Sequence, residues 1–150
     1  MKIELSGNVT ANAPIDSVRR FSSSFPDIAS CIPSATDYNK VDDRSFRVKI
    51  TMNIALIKGT FAVKATMIED LPNKVSYRME GRGVGSAMNQ LLTLEFLDRG
   101  GEVTDVHWSL DSDFGGIVSG IASPVLKSIV EDVVNKTIAN VKAKVEVRQG

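Results

Sequence analysis

Polar and apolar positions alternate along most of this chain, and from about residue 115 onward they fall into helical spacing. Residues 2–11 set Ile3, Leu5, Gly7, Val9 and Ala11 against polar neighbours, which predicts a strand with one buried face. Pro14 opens a short helix: its missing N–H is no loss at the first helical position, and Asp16 complements the helix N-terminus. Val18 and Phe21 turn inward, and Ser22 to Ser24 end this helix. Pro26-Asp27 opens another turn, which stops before Pro33. Residues 36–42 form a weak strand. Residues 45–56 form the clearest one, with Phe46, Val48, Ile50, Met52, Ile54 and Leu56 opposite Arg47, Lys49, Thr51 and Asn53. Gly59 marks the next turn, and Phe61, Val63, Ala65 and Met67 share a face after it. Beyond a turn at Pro72-Asn73 come Val75, Tyr77, Met79 and Gly81, then Gln90, Leu92, Leu94 and Phe96. Arg99-Gly100-Gly101 reads as a hairpin, followed by Thr104, Val106, Trp108 and Leu110.

Residues 115–147 carry the one long helical pattern. Ala122, Val125, Leu126, Ile129, Val130, Val133, Val134, Thr137, Ile138, Val141 and Val145 form a broad apolar stripe, and Asp132 and Lys136 sit at the spacing of an exposed helical pair. Ser123-Pro124 fits equally well as the true N-cap and first helical position, with the residues before it a separate turn. A helix of this kind cannot bury its stripe alone. The strands supply the partner surface. Their short connections imply antiparallel pairing, so the prediction is an α+β domain: a curved antiparallel sheet, two short helices after the first strand, and a long helix on the apolar face.

The 150 residues suit one domain, and 18 basic residues balance 18 acidic ones with no block of like charge. That disfavours nucleic acid as a partner. The N-terminus reads as a strand and no run is apolar enough to span a bilayer, so the expectation is a cytoplasmic protein, at most peripheral at the inner membrane face through partners. The single Cys31 and single His107 allow neither an internal disulfide nor a zinc ligand set; Cys31 reads as a buried inert thiol and His107 as a surface residue.

The inward positions contain no Asp, Glu, His, Lys or Arg, whereas general acid–base catalysis needs a titratable group within reach of substrate. The expectation is therefore a binding protein without a cofactor. Its ligand-binding candidates are Phe46, Val48, Ile50, Phe61, Val63, Tyr77, Met79, Gln90, Leu92 and Trp108 from the strands, with Ile121, Val125 and Ile129 from the helical segment. Tyr77 and Gln90 place polar tips on an apolar face, where they either satisfy each other, the backbone or a water, or hold the head of an apolar ligand. Gly81, Gly83 and Gly85 do not lead from a strand into a helix, so a phosphate loop is rejected; they bend the sheet, leave room for a ligand, or both. Gly115, Gly116 and Ile57 are the candidate gate, a lid at the helix entrance meeting an apolar turn residue.

Several short motifs follow one another in a fixed order. They are Ala13-Pro14 with Val18; Cys31-Ile32-Pro33; Lys58-Gly59-Thr60-Phe61 with Val63; Tyr77 with Gly81, Gly83 and Gly85; Thr104 with Trp108; and Gly115-Gly116. In that order they resemble the family of the carbon monoxide dehydrogenase G subunit. That family belongs to the helix-grip superfamily shared with Bet v 1-like, START and polyketide cyclase proteins. The resemblance implies seven strands wrapped around the long helix with a cavity between. It also implies an accessory role beside a molybdenum dehydrogenase complex, through a hydrophobic small molecule such as a quinone or another isoprenoid or acyl lipid. The alternatives are a cyclase- or dehydratase-type enzyme using the same cavity, through Tyr77 or a loop carboxylate, and a ligand-free interaction protein. The chain departs from the family pattern at Pro33-Ser34, where Pro-Gly is usual, and it is expected to lack the C-terminal extension that some relatives carry.

Overall fold

The computed structural model describes residues 1–54 and 57–147. The chain runs β1 (Lys2–Ala11), α1 (Ile15–Ser22), α2 (Phe25–Cys31), β2 (Ala35–Asp42), β3 (Ser45–Ile54), β4 (Ile57–Leu71), β5 (Lys74–Gly83), β6 (Ser86–Asp98), β7 (Thr104–Gly116), a 3₁₀ turn (Ile117–Gly120) and α3 (Ser123–Val147). The seven strands form one antiparallel sheet in the order β1-β7-β6-β5-β4-β3-β2. Each hairpin places consecutive strands side by side, while β1 pairs with β7 and so brings the two ends of the chain together. The sheet curves around α3 in a helix-grip arrangement.

Inner-face alternation builds the core as the sequence pattern predicts. Val48 lies opposite Val63 and Leu94 opposite Trp108. Gly7 lies opposite Trp108, whose indole occupies the space a β-carbon at Gly7 would need, 2.7 Å away. One buried cluster joins Phe21, Phe25, Phe46, Tyr77 and Val145; the other joins Ile3, Leu5, Trp108, Phe114, Leu126 and Val130. The helix α3 therefore seats Leu126 and Val130 in one cluster and Val145 in the other, while Val133, Val134, Ile138 and Val141 between them stay half-buried. Polar clamps fix its C-terminal end. The Asn12 N–H donates to Glu146 Oε2 at 2.8 Å, Asn140 Nδ2 donates to the Cys31 carbonyl at 2.9 Å, and Lys144 Nζ reaches Ser30 Oγ at 2.9 Å. The Asn12 N–H and the Lys142 ammonium hold the Glu146 carboxyl below the usual carboxylate range.

The structure moves several expected boundaries. Pro14 is the N-cap of α1, and its carbonyl accepts from the Ser17 and Val18 N–H groups. Gly59 lies inside β4 opposite Met52, and the β3–β4 connection falls between Ile54 and Ile57. Leu56 lies outside the described residues. The strand β7 does not stop at residue 111; its alternation continues through Ser112 and Phe114 to Gly116, so Gly115 and Gly116 belong to the sheet. Gly116 has φ 77°, and a β-carbon there would meet the Gly85 carbonyl and Ser86 backbone, a close approach that only glycine permits. The long helix begins at Ser123 after a separate 3₁₀ turn, as the second reading has it, but Ser123 is the first helical residue and the Ala122 carbonyl, not Ser123, takes the cap position by accepting from the Val125 and Leu126 N–H groups.

At the edge of the sheet, β2 pairs with β3 irregularly. The register shifts between Thr36 and Asn39 and again between Lys40 and Asp42, and Asp37 has φ 53°. Before β2, residues 32–35 form a tight turn closed by the Ala35 N–H donating to the Ile32 carbonyl at 3.2 Å. Pro33 takes its second position and Ser34, at φ 60°, its third; this is a type II turn, which calls for glycine at the third position. Ser34→Gly should relieve the left-handed strain and raise stability by up to about 1 kcal/mol, measured by urea unfolding.

Tyr77 is a buried residue with a clear energetic role. It is 2% exposed, its ring meets those of Phe25 and Phe46 edge-on, and its hydroxyl donates to the Ser22 carbonyl at 2.7 Å. That carbonyl belongs to the last turn of α1 and has no partner within the helix, so Tyr77 caps α1 from across the core. Burial pushes the phenol pKa well above its ordinary value, and the charge of Asp70 adds to the shift. Tyr77→Phe should cost about 1–3 kcal/mol of unfolding free energy, because it leaves the Ser22 carbonyl buried and unpaired.

Candidate ligand cavity

Between the sheet and the middle of α3 lies a cavity of about 620 Å³. Its floor is the inner face of β3 to β7, its roof the half-buried valines and Ile138 of α3, and one end is closed by Val18, Ser22 and Ile28 from α1 and α2. The cause is visible in the sequence. The roof side chains are mostly valines, whose small volume leaves space beneath the helix, and the two ends of the helix are already fixed.

The mouth is marked by the exposed polar residues among the lining: Ser34 in the type II turn, Thr51 and Asn53 at the end of β3, and Asp132 and Lys136 on α3. Asp132 and Lys136 form an ion pair at 2.9 Å. Lys142 also borders the cavity and is paired with Glu146. These three are the only ionisable side chains among the described lining residues, and both lysines have acidic partners. Deeper in, the lining is apolar apart from Ser22, Ser86, Gln90 and the half-buried Thr137, whose hydroxyl donates to the Val133 carbonyl. Ser22 and Ser86 are engaged: Ser22 Oγ donates to the Val18 carbonyl, and Ser86 Oγ accepts from the Val118 N–H.

Of the predicted ligand-binding residues, Phe46, Val48, Ile50, Phe61, Val63, Met79, Gln90, Leu92, Trp108 and Ile129 line this cavity. Three do not. Tyr77 spends its hydroxyl on Ser22 inside the packed aromatic cluster. Val125 keeps the stripe's periodicity but lies in the first turn of α3, where it is 48% exposed, and Ile121 precedes the helix beside the 3₁₀ turn. The gate also changes character. Gly115 and Gly116 pair with Ala87 and Ser86 as strand residues, and the side chain of Ile57 lies outside the described residues. The glycine run of β5 serves packing: a β-carbon at Gly83 would come within 2.4 Å of the Thr60 carbonyl, and the shift in the β4–β5 register is near Met67 and Glu69, away from the glycines.

Sequence reasoning passed over the mouth residues Ser34, Thr51 and Asn53, because alternation assigns a face and not a depth. It also passed over Ser112, the next inward position after Leu110; its buried hydroxyl is without a partner among the described residues. His107 is exposed and its Nδ1 lies 2.9 Å from Asn8 Oδ1, while Cys31 is buried. Among the described residues no group of three or more His, Cys, Asp or Glu gathers that could hold a metal ion, and no helix is long and apolar enough to cross a membrane.

A comparison of the sequence with curated proteins finds no match. Solved structures share the fold. A conserved protein from Geobacillus kaustophilus superposes with a TM-score of 0.88 at 13% identity, covering 95% of both chains. A START superfamily protein from Mycobacterium smegmatis does so with a TM-score of 0.75 at 12% identity, covering 95% of this chain and 97% of that one. The ZhuI aromatase/cyclase from Streptomyces sp. R1128 gives 0.72 at 13% identity, covering 100% and 97%. The fold thus houses a cyclase as well as START proteins, and at such identities the likeness is one of architecture. The family comparison reaches further: residues 7–146, nearly the whole chain, match the CoxG family, that of the carbon monoxide dehydrogenase G subunit. With the helix-grip sheet, the long helix and the cavity between them, that match places this chain in the CoxG family.

Proposed function

We propose that this protein is a non-enzymatic binding or carrier protein for a hydrophobic small molecule, accessory to a carbon monoxide dehydrogenase-type molybdenum enzyme. The observation that supports the reading is the apolar cavity itself, about 620 Å³ and without an ionisable side chain in its depth. That volume lies within the range of small-molecule sites. A cyclase-type mechanism needs a proton donor or acceptor beside the substrate. Tyr77, the residue best suited to that task by sequence, is occupied as a helix cap, and the acids and lysines at the rim are paired. A quinone or related isoprenoid suits both the apolar walls and the family's context, since a dehydrogenase must pass its electrons to an acceptor. The carrier would work on the cytoplasmic side, beside its enzyme.

Diphenylhexatriene, which fluoresces only in apolar surroundings, should bind at about one per chain, and a short-tailed prenyl quinone should displace it. Ile138→Trp projects a large ring from the roof into open space, so it should lower probe affinity about tenfold or more while changing unfolding free energy by under about 1.5 kcal/mol. A wild-type protein that takes up neither probe nor quinone would instead favour an interaction protein with no ligand.

A further inference from the structure

We propose that the cavity holds its ligand head-inward, with the Gln90 amide donating a hydrogen bond to an uncharged carbonyl oxygen and the Ser112 hydroxyl orienting that amide. The inference rests on the reading of the cavity as a ligand site and specifies the class of ligand. Gln90 is 9% exposed, lines the cavity, and has no hydrogen-bond partner among the described residues. Ser112 is 4% exposed and its buried hydroxyl is without a partner among the described residues. The two are directly opposite in the β6–β7 register and both point inward, so their β-carbons are about 4.5–5.5 Å apart. A buried polar group left unpaired is costly and rare; among the described residues the Ser112 hydroxyl is one, and beside it Gln90 lines the cavity from an otherwise apolar floor.

Their donor and acceptor inventory determines what is missing. A serine hydroxyl donates once, and a glutamine amide offers one acceptor oxygen and two N–H donors. If the Gln90 side chain turns so that its Oε1 accepts from Ser112, its nitrogen is left aimed into the cavity with nothing to receive its protons. The neighbouring inner positions are Met79, Met88, Leu92, Leu110 and Phe114, which offer no strong acceptor. The sheet's own carbonyls are engaged in its ladder. A ligand completes the set by bringing a hydrogen-bond acceptor. That acceptor is uncharged, because a carboxylate taken to this depth would find no cation: Lys136 and Lys142 are at the helix face and already paired. The resulting ligand class is a neutral ketone or quinone whose apolar tail runs toward the mouth. Gln90 is the specificity-determining contact and Ser112 a positioning residue behind it.

The test compares a long-chain methyl ketone with the alkane and the fatty acid of equal length, each displacing diphenylhexatriene from the purified protein. Comparing wild type with variants cancels the ligands' differing solubility in water. Gln90→Leu should weaken ketone binding about five- to tenfold, the loss of one buried hydrogen bond, and leave alkane and probe binding unchanged. Ser112→Ala should weaken the ketone about two- to fivefold while thermal stability stays level or rises, because a lone buried hydroxyl is removed. The infrared carbonyl stretch of the bound ketone should lie at lower wavenumber in wild type than in Gln90→Leu, with Ser112→Ala between them. Should Gln90→Leu fail to fold, Gln90→Met and the wild-type stretch carry the test. An unshifted stretch, equal losses for ketone and alkane, or fatty acid bound more tightly than ketone would overturn the head-inward assignment. Failure of wild type to bind the probe at all would overturn the cavity reading itself, a separate result.

Discussion

The architecture depends on a helix held at its two ends. Leu126 and Val130 lock the N-terminal half of α3 into the cluster around Trp108, and Val145, with the Glu146, Asn140 and Lys144 clamps, locks the other end near α2. A helix fixed at two points is too stiff to sag, and a strongly curved sheet is farthest from it midway. The side chains between the anchors are largely valines, so the gap is not filled. Hydrophobic burial, which usually eliminates space, here produces it: the apolar residues that would have closed a core become walls.

This division also explains which polar groups matter. At the closed end the polar atoms are matched: Tyr77 with Ser22, Thr104 with the Ala13 carbonyl, Ser22 with Val18. These contacts join elements distant in sequence and contribute to folding. On the cavity floor, the Ser112 hydroxyl is unmatched among the described residues, and Gln90 beside it faces the cavity. The contrast between satisfied and unsatisfied polar groups separates the part of the molecule that holds the fold from the part free to recognise something else.

The strands and their inward faces were legible because one side of each is the more exposed, which leaves a two-residue alternation that is strictest in β1 and β7. The long helix was legible as a stripe. What the pattern could not carry was depth and partnership. Tyr77 and Gln90 are equivalent on paper, both polar tips on an apolar face, yet the partner of Tyr77 lies 55 residues earlier in the chain, and only the folded arrangement distinguishes a cap from a cavity group. Val125 keeps the period of its helix but outruns the sheet that would cover it. Ser112 was missed because the adjacent Asp111, Asp113 and paired glycines look like a strand end, although β7 continues to Gly116. At Pro33-Ser34, where the resemblance leads one to expect Pro-Gly, a turn that favours glycine is made with a serine that tolerates its left-handed position less well.

The irregular pairing of β2 bears on how such a molecule stays dispersed. It is an edge strand next to the mouth, and a regular edge there would offer a row of free N–H and carbonyl groups as a template for strand addition by another copy, beside an accessible apolar interior. Two register shifts and the left-handed Asp37 break that row, and Asp37, Lys40 and Asp42 place charges along what remains. The imperfections of β2 are therefore a defence against aggregation, which lets the protein keep an open greasy chamber without the sheet beside it recruiting its neighbours.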